Sequence, residues 1–79
     1  MNEKIYKAII EGKSDNNIKY TDFQNIIIGI GFKFMRHNGS HEIYRHNEIG
    51  ERLNIQRDGS KAKAYQVRQL RNIILKYKL

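Results

Sequence analysis

The chain has no cysteine among its 79 residues, so neither a disulfide framework nor a thiolate metal site can staple it. It also lacks any apolar run near the ~20 residues needed to cross a bilayer. Its first residues, Met1 to Asp15, have no hydrophobic centre of the signal-peptide kind, which makes a cytoplasmic protein without membrane association the expectation. A zinc-finger pattern is missing too: His37, His41 and His46 stand four and five apart, and at most a facing pair is available to a metal. No metal or other cofactor is therefore expected. The last stretch is short of one sign of charge. From Gly59 to Leu79 there are six basic residues (Lys61, Lys63, Arg68, Arg71, Lys76, Lys78) and no acid. Met1 to Gly31 is balanced, and Phe32 to Asp58 carries five basic residues against four acidic ones. Most of the formal net charge of +7 thus lies at the C-terminal end. This asymmetry points to a polyanion, nucleic acid foremost, against the plainer reading of a solvated basic helix that aids solubility.

A chain of this length makes one domain, and buries only roughly 60% of its unfolded surface. Asn2 to Glu11 reads as a short helix with Ile5, Ala8 and Ile9 on one face, closed by Gly12. Lys13 to Asn17 reads as a loop. A second helix is expected from Thr21, with Thr21-Asp22-Phe23-Gln24 as a capping box. Phe23, Ile26, Ile27 and Ile30 form its apolar stripe, and Gly31 ends it. Three strand candidates follow: Phe32–His37, His41–His46 and Arg52–Gln56. In the first, Phe32 and Phe34 share one face while Lys33, Met35 and His37 take the other. In the second, His41, Ile43 and Arg45 oppose Tyr44. In the third, Leu53 and Ile55 point inward. Arg57 to Ala62 reads as a loop, and a last helix runs from about Ala64 to Tyr77 on Val67, Leu70, Ile73, Ile74 and Tyr77. The order is α-α-β-β-β-α. It predicts an α+β fold, a three-stranded antiparallel sheet with helices packed on one face.

Between the first two strand candidates lies Asn38-Gly39-Ser40-His41, and Asn-Gly flanked by such runs is a strong hairpin signal. The turn places an imidazole at the head of the second strand, on a rigid element. Imidazole, with an unperturbed pKa of about 6.5, can both take and give a proton near neutral pH. Gly39 and Ser40 are expected to shape this turn, and His37 and His46 to lie at the surface. Tyr44 is read as a packing residue or a base-stacking platform.

The strand-and-helix order resembles the double-stranded-RNA-binding fold. The residues Gly31-Phe32, Gly39-Ser40-His41, Tyr44, Asn54-Ile55-Gln56 and Ala62-Lys63-Ala64-Tyr65-Gln66-Val67-Arg68-Gln69-Leu70 resemble the HicA family of toxin mRNA interferases. The resemblance covers residues 17–79 as a core and leaves residues 1–16 as an N-terminal helical extension and loop of one domain. It implies an endoribonuclease that a HicB-type antitoxin neutralises. The family's catalytic histidine maps onto His41, with Gly39 and Ser40 as support. Many relatives carry a proline and a second histidine after the third strand, where this chain has Gln56-Arg57-Asp58-Gly59.

On this reading His41 drives metal-independent RNA cleavage as the principal acid/base, leaving a 2′,3′-cyclic phosphate and a 5′-hydroxyl. Lys61, Lys63, Arg68 and Arg57 are the expected RNA contacts, the lysines flanking the last helix's N-terminus. His41, Arg71 and Lys76 are the expected antitoxin contacts, with a plain solvated face as the alternative for the two cations. A non-catalytic RNA-binding module of the same fold is the rival; it needs the lysines and not His41.

Overall fold

The computed structural model describes every residue from Met1 to Leu79. Helix α1 spans Glu3–Glu11, where Asn2 caps the first turn by accepting from the Ile5 amide and Gly12 closes the last at φ 74°. A 3₁₀ turn, Asp15–Asn17, occupies the middle of the expected loop. Helix α2 spans Tyr20–Gly29 and buries Tyr20, Phe23, Ile26 and Ile27. The three expected strands are present as β1 (Lys33–Asn38), β2 (His41–His46) and β3 (Glu51–Ile55), joined antiparallel in that order. A second, two-stranded ribbon, β4 (Arg57–Asp58) and β5 (Lys61–Ala62), precedes α3 (Ala64–Tyr77). No helix is long and apolar enough to cross a membrane.

The helices cover one face of the sheet. Tyr44, Leu53 and Ile55 from the strands meet Ile9, Phe23, Ile26, Ile27, Val67, Leu70 and Ile74 from the helices in a single core cluster. Each such side chain, fully buried, contributes roughly 1.5–3 kcal/mol of transfer free energy. The N-terminal helix belongs to this core. Ile9 is fully buried, and Arg71 of α3 clamps Asp15 through two hydrogen bonds of 2.9 and 3.1 Å while also donating to the Ile9 carbonyl. Tyr6 donates to the carbonyl of Leu79, closing the two ends of the chain together.

Three sequence expectations need correction. The capping box at Thr21 does not form: α2 starts one residue earlier with no side-chain cap, because the Tyr20 amide donates to the Ser60 carbonyl at 2.9 Å. That carbonyl belongs to the β4–β5 turn, which replaces the loop expected over residues 57–62. Gly59-Ser60 forms the two-residue turn between paired Asp58 and Lys61, with Gly59 at φ 61°. The ribbon is fastened further by Ala62, whose amide donates to the Ile18 carbonyl.

The third correction sets up the site. A β-bulge between Phe34 and Arg36 places Met35 outside the pairing register with β2. One extra residue inverts the alternation beyond it. His37 consequently lies on Phe34's face, the two rings 5.0 Å apart, and Arg36 turns to the face of Ile43 and His41. Without the bulge, Arg36 would share the helix-covered side.

Candidate active site

The turn between β1 and β2 consists of Gly39 and Ser40 alone, with Asn38 and His41 paired across it. Only Gly39 has a positive φ, 62°, which fits a two-residue turn with glycine at the first central position rather than the Asn-Gly turn expected from sequence. Asn38 is thereby retained as the last residue of β1. His41 opens β2 on the sheet face that the helices leave uncovered. Its Nδ1 lies 2.6 Å from Oδ1 of Asn54 on β3. A carboxamide oxygen can only accept, so Nδ1 carries a proton, and in the neutral ring Nε2 is the bare lone pair. This is the tautomer and orientation that a general base requires.

His41 lines an open cleft of about 570 Å³ on that face. Its floor is Ile43, which is 6% exposed yet stands apart from the main core cluster. Arg36, Asn38 and Arg52 come from the sheet, and Tyr65 and Gln69 from the first turns of α3 along the β3 edge. Register puts further cations on the same face. Lys33 pairs with Arg45, and Arg45 with Arg52, so three positive side chains lie in one row across all three strands. None has a carboxylate partner, since the single ion pair of the molecule joins Arg71 to Asp15. Like charges placed directly opposite are destabilising. The row therefore costs stability, a cost that an anion lying across it would relieve.

A hydrogen-bonded frame holds this cleft. Gln56 donates from Nε2 to Ser40 Oγ at 2.6 Å and accepts from Lys63 Nζ at 2.9 Å, tying the Gly39-Ser40 turn to the start of α3. Gln66, 1% exposed, accepts from the Gln56 amide and donates to the Asn54 carbonyl and the Tyr65 hydroxyl. The strand residue that orients His41 and the aromatic wall of the cleft are thus fixed by one buried amide. Such support is what keeps a constellation in working geometry.

No protein-family model, curated protein or solved structure matches this chain.

Of the residues expected to bind RNA, none lines the cleft. Lys63 bonds Gln56 Oε1 at 2.9 Å, Lys61 bonds Asn17 Oδ1 at 3.0 Å, and Arg57 stacks 4.6 Å above the Tyr20 ring. Arg68 is exposed on α3. Arg71 is engaged within the fold by Asp15, and Lys76 lies exposed over Tyr77, 5.1 Å from its ring centre. His46 is not at the surface. It is 4% exposed, its Nε2 bonds the Ile30 carbonyl at 2.9 Å, and its ring meets Phe32 edge-on. Gly31, at φ 113°, permits this approach, for a Cβ there would fall 2.5 Å from His46 Nε2.

Tyr44 packs against the helices, its hydroxyl donating to Glu42 Oε1 at 2.9 Å. The same oxygen accepts from Gln24 at 2.8 Å and from Tyr20 at 3.1 Å. Burial pushes the Glu42 carboxyl upward, but these hydrogen bonds outweigh it and hold the group below its ordinary range. Burial, then the bond to Glu42, pushes the Tyr44 phenol up to about 12. This cluster is on the helix side of the sheet and braces α2 against β2, away from His41. The sequence reading missed Arg36, Arg45, Arg52 and Asn54 as site residues; their alternation with Leu53 and Ile55 was the available signal for the last two.

Proposed function

We propose that this protein is a metal-independent endoribonuclease of the HicA toxin type, acting on mRNA and neutralised by a HicB-type antitoxin. The observation that carries the reading is His41, tethered through Nδ1 to Asn54, with Nε2 free in a cleft edged by unpaired guanidinium groups. Nε2 takes the proton of a ribose 2′-hydroxyl, and the 2′-oxygen attacks the adjacent phosphorus. The bond to the 5′-oxygen breaks, and that oxygen takes the proton from the imidazolium. The products are a 2′,3′-cyclic phosphate and a 5′-hydroxyl, with no net proton consumed. Arg36 and Arg52 are placed to hold the phosphate oxygens as charge builds on them. The α-α-β-β-β-α layout accords with the double-stranded-RNA-binding-like fold that the reading expects.

An antitoxin suited to this surface covers His41 and brings carboxylates to the cation row. The row also fits the rival reading, a non-catalytic RNA-binding module, which needs the arginines and has no use for the Asn54 tether. Analysis of fragment ends decides between them. Wild-type protein incubated with a long RNA of mixed sequence in EDTA is expected to give 2′,3′-cyclic phosphate ends by mass spectrometry. Intact RNA, or fragments with 5′-phosphates, would overturn the proposal.

A further inference from the structure

We infer that the cleft beside His41 is a subsite for one unstacked nucleotide of single-stranded RNA, its base held against Tyr65. The inference deepens the cleavage reading by naming the form of substrate that the site takes. Tyr65 is 55% exposed in the first turn of α3, on the same side of the helix as exposed Arg68 and Gln69, and its hydroxyl is pinned by Gln66. A fixed, solvent-facing ring offers a base a stacking partner at little entropic cost. Below it, Ile43 provides an apolar floor, while Asn38 and Gln69 present exposed amides at opposite walls. An amide matches the paired donors and acceptors on a base edge. The row Lys33, Arg45, Arg52 then continues the phosphate path away from the cleft.

A duplex does not fit these features. In A-form RNA each base is stacked on both sides and its edge is paired, so neither Tyr65 nor the amides can reach one. In-line attack also needs the 2′-oxygen, the phosphorus and the 5′-oxygen aligned, which a nucleotide swung out of the stack can supply. The strands are only five or six residues long, a platform suited to a few nucleotides. Acidic peptide is the other polyanion a cationic face attracts, but it has no use for a stacking ring and base-sized floor.

The test is binding of a fluorescein-labelled, 2′-fluoro single-stranded RNA of mixed sequence, which cannot be cleaved through a 2′-hydroxyl. Tyr65→Ala is expected to weaken binding by roughly 5- to 150-fold, the range for loss of one stacked base. Tyr65→Phe, which keeps the ring, is expected to bind close to wild type. Circular dichroism confirms that each variant folds, as substitution of so exposed a side chain leaves the core untouched. Equal binding by Tyr65→Ala and wild type would overturn the inference. So would equal affinity for the matching duplex, or displacement of the RNA by polyglutamate at matched charge. Tyr65-dependent binding without cleavage of ordinary RNA would uphold the subsite and strike the cleavage reading alone. Cleavage indifferent to Tyr65→Ala would do the reverse.

Discussion

Replacing Asn54 by alanine removes the acceptor 2.6 Å from His41 Nδ1 and leaves the core untouched. Asn54 is exposed, and the contact that fastens its strand to α3 is made by its backbone carbonyl with Gln66, which alanine preserves. The lost interaction is one hydrogen bond at a partly solvated site, worth about 0.5–1.5 kcal/mol net. That energy corresponds to roughly a 2- to 13-fold fall in the fraction of imidazole held with Nε2 bare and correctly aimed. Single-turnover RNA cleavage should slow by the same factor, with KM little changed, since the tether acts on the base rather than on substrate binding. Asn54→Asp separates orientation from charge. It keeps an acceptor but adds a carboxylate, which favours imidazolium; because the base must be neutral, the acid limb of the rate profile moves to higher pH. Nitrogen-15 spectra of the imidazole report the tautomer directly. An Asn54→Ala protein with wild-type rate and an unchanged imidazole spectrum would refute the reasoning.

Other consequences follow from the sheet and its helix-side cluster. Arg45→Thr relieves like-charge repulsion on both sides and should raise unfolding free energy in urea by about 0.2–1 kcal/mol. The same change should lower the salt slope of single-stranded RNA binding by about 0.7 log units; a loss of stability would contradict the assignment of the row. Deleting Met35 removes the extra residue of the bulge and leaves Arg36, now next to Phe34, paired with Ile43 on the face of His41, so cleavage should persist while circular dichroism still shows the sheet. Loss of cleavage in a folded deletion variant would contradict this account of the bulge. Burial and the bond to Glu42 push the Tyr44 phenol up to about 12 in the folded protein, against 10.0 ordinarily. As pH rises through that window the unfolded chain gives up the phenolic proton first, so stability falls, and Tyr44→Phe should flatten the decline in alkaline urea melts. Glu42, held below its ordinary range, works in the opposite sense: its contribution is present above the unfolded carboxylate's pKa and lost on acidification.

The helices and strands were legible in the sequence wherever burial is one-sided. Val67, Leu70, Ile73 and Ile74 are all buried, and α3 spans Ala64–Tyr77 as their spacing predicts. Leu53 and Ile55 likewise point inward from β3 as the alternation requires. The extra ribbon went unread because two residues per strand carry no periodicity, although Gly59-Ser60 marked its turn. The start of α2 was hidden for a tertiary reason: its first free amide is satisfied by Ser60, far along the chain, and so needs no capping side chain.

The site was legible in its histidine and not in its surroundings. His41 could be placed at a turn from Gly39-Ser40, but no local pattern announces the bulge at Met35. Strict alternation therefore put His37 on the wrong face. Charge counting drew attention to the acid-free C-terminal segment, whereas the unpaired cations beside His41 come from a stretch whose net charge is close to zero. What matters there is how the signs divide between faces: Glu42 turns to the helices, and Arg45 and Arg52 to the open side. His46 was misjudged because its burial depends on Gly31, a residue fifteen positions earlier that leaves room for the ring.

The most direct test of the account compares wild type with His41→Ala on one defined single-stranded RNA in EDTA, with the fold of each verified by circular dichroism. General base catalysis contributes roughly 10²–10⁴-fold, and the variant should lose that much rate while binding the RNA as before. Cleavage by His41→Ala at the wild-type rate would contradict the central claim.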